Sequence, residues 1–466
     1  MSARPPEIGE LSSLGRAYVA GELRQAPLQG KFRPSRRDDV PLLDELAAAE
    51  RREAVREGVE ALRAGTVAFG VLAAGASTRM SLDAMPASAR RLLERSGRPE
   101  PAAKAMVPVV EIDGTVYSFL DLFFLNCARL SRETATSCPA LLLLSDANAP
   151  EVEAYLERRD GFGVPTISFR QSLDRQIVAT AEDVERARKN FASSTDVQSA
   201  LEISRAFAGH TLDVPKPAGH GEFLHQLISS GTLGRLLERG IRYVGIRNID
   251  NVGAVFDERW LAILGRMVAR RKRFTVEVSR RPDGPAGKGG ALIVRPGGEY
   301  QLAEDPAFAG TGVDPRDSYY LNDATAILEV GYLFRVYETS EEEIRSASPE
   351  ALAEIAERGR RKFPPLLDVK PVRLPSGRVA GAFVRETNLW ESTGVADELG
   401  VDAIGVLSVK DVEEGFDDLA GWAQRDRALK VRFVAAKKWE DYEGINSVLV
   451  PYLARKVISE RLVPDV

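Results

Sequence analysis

The feature that most constrains the fold is a regular alternation of short apolar runs with amphipathic segments through roughly residues 66–340. The apolar runs, each short enough for a buried strand, are 66–72, 140–144, 166–169, 243–246, 274–278 and 291–294. The amphipathic segments with helical spacing are 120–130, 152–158, 180–191 and 233–239. Alternating strands and helices of this kind build a mostly parallel sheet with helices on both faces. The sequence therefore predicts an α/β fold.

The segments on either side of this region show different sequence patterns. Residues 1–65 contain an apolar stripe from Leu42 to Leu62, which predicts a helical N-terminal segment. Residues 66–415 are expected to form the main domain. Residues 416–466 mix a β-rich piece with a helical end, which predicts a short C-terminal α+β region.

Composition excludes several classes of function. The 466 residues include 63 Lys and Arg against 68 Asp and Glu, so no broad basic surface for nucleic acid is expected, although a small phosphate pocket is compatible. Two cysteines and three histidines argue against a disulfide framework or a multi-histidine metal site. The sequence shows no signal peptide and no stretch of the ~20 apolar residues that a membrane helix needs. We expect a soluble, cytoplasmic protein without a membrane partner.

The first candidate site follows the run 66–72, where Ala73, Ala74 and Gly75 form a turn of small residues. Small residues let backbone N–H groups approach an anion, and a following helix N-terminus adds a favourable dipole. Arg79 adds a planar cation suited to phosphate. A tight connection without a ligand explains the pattern about equally well.

Lys104 stands in a small, apolar stretch, residues 101–109. A lysine with such neighbours either extends along apolar surface to reach water or is aimed at an anion. The Arg-rich residues 81–101 before it are expected to form a mobile flap.

Two glycines flank a histidine at Gly219, His220 and Gly221. This pattern indicates an unusual backbone conformation that presents an imidazole and adjacent amides to a ligand. The alternative is a plain glycine turn with a surface histidine.

The most informative segment is an apolar strand that runs into Asn248, Asp250 and Asn251. Polar residues at the carboxyl end of a parallel strand lie where open α/β sheets bind ligands. The carboxylate of Asp250 could hold Mg²⁺, a hard cation that prefers carboxylate and phosphate oxygens. An Asx turn that satisfies local amides explains one such residue better than three.

Two further lysines are candidates. Lys288 lies among glycines just before the run 291–294, and Lys410 follows the apolar run 404–407. Either lysine taken singly could be an ordinary exposed residue.

Taken in order, these segments resemble the UDP-glucose pyrophosphorylase family, the uridylyltransferases that make UDP-sugars from UTP and a sugar 1-phosphate. The matching segments are 72–80, Lys104 with 119–122, 169–172, 216–221, 248–251, 288–290 and 409–410. Each is weak alone, but the ordered set is specific. The resemblance implies a Rossmann-like, GT-A-like nucleotidyltransferase domain over residues 66–415. It also implies a monomer or weak oligomer, because no β-helix pattern follows Lys410.

The resemblance also implies roles for individual residues. The nucleotide-binding set is Leu72, Ala73, Ala74, Gly75, Gln171, Gly219 and His220. The sugar-phosphate set is His220, Asn248, Asp250, Lys288, Gly289, Gly290, Glu304 and Asn322. The catalytic set that neutralises phosphate charge is Lys410, Lys104 and Arg79. Asp250 would bind Mg²⁺.

The expected reaction is in-line attack of glucose 1-phosphate on the α-phosphorus of UTP, with pyrophosphate leaving. Two departures keep alternatives open: Ala74 and Ser77 stand where the family loop is richer in glycine, and the sugar segment is represented only by 320–325. One alternative is a transferase for a hexosamine 1-phosphate or another NTP. The other is a catalytically silent relative that binds a nucleotide-sugar.

Overall fold

The computed structural model describes residues 6–75, 85–282, 289–411 and 430–464, apart from residues 24, 102, 397, 437, 438, 444 and 445. The strands are β1 (Ile8–Leu11), β2 (Arg33–Pro34), β3 (Val67–Leu72), β4 (Pro108–Ile112), β5 (Thr115–Ser118), β6 (Ala140–Leu144), β7 (Thr166–Arg170), β8 (Leu173–Val178), β9 (His210–Pro217), β10 (Tyr243–Asn248), β11 (Phe274–Arg280), β12 (Ala291–Val294), β13 (Tyr300–Ala303), β14 (Tyr320–Glu329), β15 (Leu366–Arg373), β16 (Val379–Glu386), β17 (Val401–Gly405), β18 (Leu407–Ser408) and β19 (Val431–Phe433).

The α-helices include one within or over each of the predicted segments 120–130, 152–158, 180–191 and 233–239, together with others that those segments did not predict. They are α1 (Ser13–Val19), α2 (Ala48–Arg63), α3 (Ala87–Ser96), α4 (Phe119–Thr134), α5 (Ala149–Arg158), α6 (Ala181–Arg186), α7 (Ser194–Phe207), α8 (Glu222–Ser229), α9 (Thr232–Glu238), α10 (Glu258–Ala269), α11 (Val330–Tyr337), α12 (Glu341–Ser346), α13 (Pro349–Arg360), α14 (Trp439–Glu443) and α15 (Asn446–Ser459). The helix α3 occupies much of the stretch predicted as a flap, and it buries Ala89 and Leu93.

The main sheet is mixed, which corrects the prediction of a mostly parallel one. Its strands β7, β6, β3 and β10 are parallel in that order, and β17 is parallel to β11. In contrast, β14 is antiparallel to β10 and β11, and β12 is antiparallel to β13. Residues 295–299 alone join β12 to β13, and a parallel pair would need a crossover of a dozen or more residues.

The predicted helices on both faces of this sheet are present. In β3, Val67, Phe69 and Val71 point into a core that includes residues of α2, α4, α10 and α15. The alternate residues Ala68 and Leu72 point into a second core with α8, α9, α11 and α13. Burial on both faces explains why these strands are continuous apolar runs in the sequence.

A second sheet, antiparallel and five-stranded in the order β1, β9, β8, β16, β15, has no counterpart in the sequence predictions. Its edge strand β15 contains Pro371, which an edge tolerates because its missing N–H need not pair. The N-terminal segment, predicted as helical, does contain α2, but β1 joins this second sheet and β2 joins β12 of the main sheet. Among the described residues, no helix has the length and apolar character needed to cross a membrane.

Candidate active site at the carboxyl edge of the main sheet

The carboxyl ends of four parallel strands, β7, β6, β3 and β10, meet at one edge of the main sheet. Asn248, the last residue of β10, is in register with Leu72, the last residue of β3. The amide of Ile249 donates to the Leu72 carbonyl at 3.3 Å, and the amide of Ala73 donates to the Leu143 carbonyl at 3.0 Å. The predicted nucleotide turn therefore lies where open α/β sheets bind ligands.

The turn after β3 is held from the neighbouring strand. The side-chain amide of Asn148 donates to the Ala73 carbonyl at 2.7 Å, while its carbonyl accepts from the Ser145 amide at 2.9 Å. Gly75 is exposed, and none of the described residues lies within 4 Å of a Cβ added there. Arg79, predicted beside this turn, lies outside the described residues.

Lys104 and Asp250 meet at this edge although 146 residues separate them in sequence. The Lys104 Nζ lies 2.5 Å from Asp250 Oδ2, and the two side chains are only 13% and 12% exposed. The other oxygen, Asp250 Oδ1, is buried and has no hydrogen-bond partner among the described residues. This arrangement gives one cation and one unsatisfied carboxylate oxygen beside the strand ends.

The loop after β10 is anchored by the C-terminal strand β19. The side-chain carbonyl of Asn251 accepts from the Val434 amide at 2.9 Å, and its amide donates to Thr325 Oγ1 at 3.3 Å. The Ala436 amide also donates to the Asp250 carbonyl at 3.2 Å. These side chains contact residues distant in sequence, whereas an Asx turn would use local amides. The Asx-turn alternative therefore does not describe Asp250 and Asn251.

Three members of the predicted sugar-phosphate set come together on the antiparallel side of the sheet. The Asn322 amide donates to the Gly290 carbonyl at 2.9 Å. A Cβ added at Gly290 would lie 3.1 Å from Glu304 Oε1 and 3.6 Å from the Cβ of Asn322. Gly289, with φ of +149°, precedes this contact in a backbone conformation that side chains rarely adopt. Lys288, which precedes Gly289 and belongs to the same predicted set, lies outside the described residues.

The turn at Gly219 and Gly221 packs against the segment that follows β16. Gly219 has φ of +107°, and a Cβ there would lie 2.2 Å from the Thr387 carbonyl oxygen. The Gly221 amide donates to that same oxygen at 2.9 Å, and the Thr387 amide donates to the Ala218 carbonyl at 2.7 Å. Only glycine fits this close approach, so the turn is fixed by packing against Thr387. Its role in presenting His220 to a ligand stays a prediction.

His220 is oriented by the same contact. Its Nδ1 accepts a hydrogen bond from the Leu389 amide at 3.2 Å, which assigns the proton of the neutral ring to Nε2. The ring lies 5.9 Å from that of Trp390. The Ala218 amide donates to the Ser172 carbonyl at 2.9 Å, which brings this turn next to the buried Gln171. The predicted nucleotide residues Gln171, Gly219 and His220 are thus neighbours in the fold.

Lys410 is placed only through its backbone. It lies in a short 3-10 helix, Val409–Asp411, directly after β18. The Ser408 amide donates to Asp411 Oδ2 at 2.7 Å, which fixes the turn. The side chain of Lys410 lies outside the part of the chain that the structure describes, so its predicted contact with phosphate stays a prediction.

Sequence reasoning missed the segment 387–391, which contacts both predicted binding sets. Asn388 Nδ2 donates to Glu304 Oε1 at 2.7 Å, and the Glu304 amide donates to Glu391 Oε1 at 3.2 Å. A usable signal was present, since Thr387 and Asn388 directly follow the apolar strand β16. Asn148, three residues beyond Ser145 at the end of β6, was missed in the same way.

Burial raises the pKa of Glu391 to about 8, opposed by the hydrogen bond from the Glu304 amide and assisted by the charge of Glu304. Because the folded-state pKa is raised from 4.5, its contribution to stability is complete below that pH and is lost as pH rises through about 8. We expect Glu391→Gln, which keeps the acceptor, to remove this loss. Urea unfolding of both proteins at pH 5 and pH 9 should show the wild type losing up to about 4 kcal/mol relative to the variant between the two pH values. Parallel stability changes in the two proteins would contradict a raised pKa.

Comparisons with known proteins point to one family. Residues 101–314 match the family model described as UTP--glucose-1-phosphate uridylyltransferase. A curated protein of that name from Solanum tuberosum is 35% identical over 187 residues, which are 40% of this chain and 34% of that relative. The aligned part of this chain spans about a third of the length of the curated relatives it matches.

Solved structures extend the likeness to the fold. A UDP-glucose phosphorylase from Trypanosoma brucei superimposes with a TM-score of 0.54 at 18% identity, covering 92% of this chain and 73% of that one. A UDP-glucose pyrophosphorylase mutant from Leishmania major, in complex with UDP-glucose, gives 0.53 at 18% identity with the same coverage. The resemblance to the UDP-glucose pyrophosphorylase family, predicted from the ordered motifs, is therefore confirmed, with the family model covering residues 101–314 of this chain.

Proposed function

We propose that this protein is a sugar nucleotidyltransferase that makes UDP-glucose and pyrophosphate from UTP and glucose 1-phosphate. The observation that carries the proposal is the meeting of Lys104 and Asp250 beside the turn of Leu72 at the carboxyl edge of the sheet. The family match supports the choice of UTP and glucose 1-phosphate. We also propose that the sheet is of the Rossmann-like, GT-A-like type, in keeping with its four adjacent parallel strands.

The chemistry asked of this site is positioning and charge neutralisation. A phosphate oxygen of the sugar 1-phosphate forms a bond to the α-phosphorus of UTP, and the bond to the pyrophosphate oxygen breaks on the opposite side. No covalent intermediate is needed when both substrates are held in line. Lys104 would neutralise phosphate charge, with Arg79 and Lys410 as further proposed cations. The turn Leu72–Gly75 would approach the nucleotide phosphates through its backbone.

The two substrates would be held by the two residue groups described above. Gln171, with Gly219 and His220, would contact the base and ribose. Glu304, Asn322 and the backbone at Gly290 would contact the sugar, because carboxylate and amide groups pair with hydroxyls.

Asp250 fits the role of an Mg²⁺ ligand. Its buried Oδ1 has no hydrogen-bond partner among the described residues, and a buried carboxylate oxygen without one is costly. Mg²⁺ is commonly held by one or two carboxylates together with substrate phosphates, so a single aspartate suffices. The ion would supply charge neutralisation to the phosphates when bound. The cytoplasmic location, the monomeric or weakly oligomeric state, the domain boundaries and the lack of a nucleic-acid or membrane partner stay predictions.

The test is a substrate panel read by pyrophosphate release. UTP and other NTPs are each paired with glucose 1-phosphate and with hexosamine 1-phosphates, with and without Mg²⁺. We expect turnover to be greatest for UTP with glucose 1-phosphate and to require Mg²⁺. Preference for a hexosamine 1-phosphate or another NTP would replace the proposed substrates. Binding of UDP-glucose in calorimetry without turnover on any pair would instead indicate a silent relative.

A further inference from the structure

In the candidate sugar site, the carboxylate of Glu304 is oriented by a second residue, Asn388. The Nδ2 of Asn388 donates to Glu304 Oε1 at 2.7 Å, on the side of Glu304 that faces Gly290. Asn388 is only 6% exposed, so this contact is largely shielded from water. A hydrogen bond from an amide to a carboxylate is stronger than a neutral one, particularly where water is excluded.

The orientation of the Asn388 amide is set by its other end. Its Oδ1 accepts from the Trp390 amide at 3.1 Å and caps the 3-10 helix Leu389–Gly394. With the oxygen committed to the cap, the Nδ2 donor must face Glu304. The identity of the two amide atoms is thus determined by the surrounding hydrogen bonds.

The segment that carries Asn388 is rigidly held. Trp390 is 3% exposed within the second core, and the Leu302 amide donates to Thr393 Oγ1 at 2.9 Å. On the other side, the Leu389 amide donates to His220 Nδ1. One short helix therefore contacts a nucleotide candidate through Leu389 and a sugar candidate through Asn388.

We propose that Asn388 is a positioning residue for the sugar site, which fixes the Glu304 carboxylate beside Gly290 and Asn322 and so determines which hexose 1-phosphate is accepted. This inference rests on the proposed function. A site that pairs its polar groups with particular hydroxyls rejects substrates that leave those groups unpaired. A Glu304 carboxylate released from Asn388 would pair less strictly with one hydroxyl arrangement.

The experiment compares Asn388→Ser and Asn388→Asp with the wild type. Both variants keep an oxygen that can cap the helix, and both lose the side-chain amide N–H that reaches Glu304. The aspartate also places a second carboxyl beside Glu304. We expect the KM for glucose 1-phosphate to rise about tenfold in Asn388→Ser, because a lost polar contact is worth roughly 1.4 kcal/mol. The rise should be larger in Asn388→Asp. The KM for UTP should change less than twofold in both variants.

Selectivity between hexose 1-phosphates is the second measurement, because a purely structural role of Asn388 would not change it. We expect the ratio of kcat/KM for glucose 1-phosphate over hexose 1-phosphates that differ in one hydroxyl to fall about tenfold. The control is Asn190→Ser, which removes another side-chain amide donor, to the Val369 carbonyl, on the second sheet. Unfolding midpoints of all variants show whether they fold.

The outcomes separate this inference from the proposed function. An active wild type whose Asn388 variants fold and keep the same sugar ratio would overturn the inference alone, as would equal rises in both KM values. A wild type that turned over no sugar 1-phosphate with any NTP would overturn both. A selective rise in the KM for sugar phosphate together with a fallen ratio supports the role of Asn388.

Discussion

Replacing Lys104 with methionine is expected to lower kcat by roughly 10²–10³-fold, the cost of removing one well-aimed charge from a transition state. Lys104 is the cation that the structure places against Asp250, at 2.5 Å, beside the strand ends. Methionine keeps most of the side-chain volume, so packing around residue 104 should change little. Steady-state kinetics with UTP and glucose 1-phosphate provide the measurement.

The matched control is Lys362→Met. Lys362 also forms a close ion pair, with its Nζ 2.6 Å from Glu338, but it lies at the end of α13, away from the strand ends. Near-normal kcat in Lys104→Met, with a normal Lys362→Met, would remove Lys104 from the proposed mechanism. Asp250→Asn separates the two roles, because it should raise the Mg²⁺ concentration needed for half-maximal rate, whereas Lys104→Met should not.

Replacing Arg432 with methionine should destabilise the protein by about 3–5 kcal/mol, because it leaves the buried Glu277 carboxylate without its arginine partner. Arg432 is 2% exposed, and its Nε and Nη2 donate hydrogen bonds to the Glu277 carboxylate at 2.6 and 2.8 Å. Its Nη1 donates to the Val255 carbonyl at 2.9 Å and lies 3.5 Å from Asp257. Chemical unfolding of the variant and the wild type at pH 7 measures the difference.

Two further variants test whether the loss of stability comes from the unpaired buried charge. Arg316→Met breaks an exposed ion pair with Asp314 and should leave the unfolding midpoint unchanged. The double variant Arg432→Met with Glu277→Gln should recover part of the loss, since the uncompensated charge is gone. A double variant less stable than Arg432→Met would show that the arginine acts through packing rather than through charge.

Much of the main sheet could be predicted from the sequence because its strands are buried on both faces. Residues 140–144 and 291–294 were assigned to within a residue, since each is an uninterrupted apolar run. The second sheet was not predicted because strands such as β8, with the sequence LDRQIV, show neither a continuous apolar run nor a regular alternation. These patterns also carry no information on strand direction, and the antiparallel strand β14 was not among the predicted strands.

Some residues of the candidate site could also be predicted from the sequence, and others could not. Lys104, Asp250 and Leu72 could be identified because each stands out within its own segment, and strand ends gather at one edge of a sheet. Asn388 has a similar position directly after a strand, but its pairing with Glu304, like that of Glu391, joins residues more than eighty positions apart. Short-range patterns carry no information on such pairings.

The anchoring of Asn251 by Val434 has a consequence for how the protein is made. These residues are 183 positions apart, so the loop that carries Asp250 leaves the ribosome long before the strand that holds it. At about 5–20 residues per second, that interval is roughly 10–40 seconds. During this time the nascent chain contains the four adjacent parallel strands but not Val434, which holds the loop of Asp250 and Asn251. Synthesis therefore completes the part of the candidate site that carries Asp250 late, whatever the order in which the sheet itself assembles.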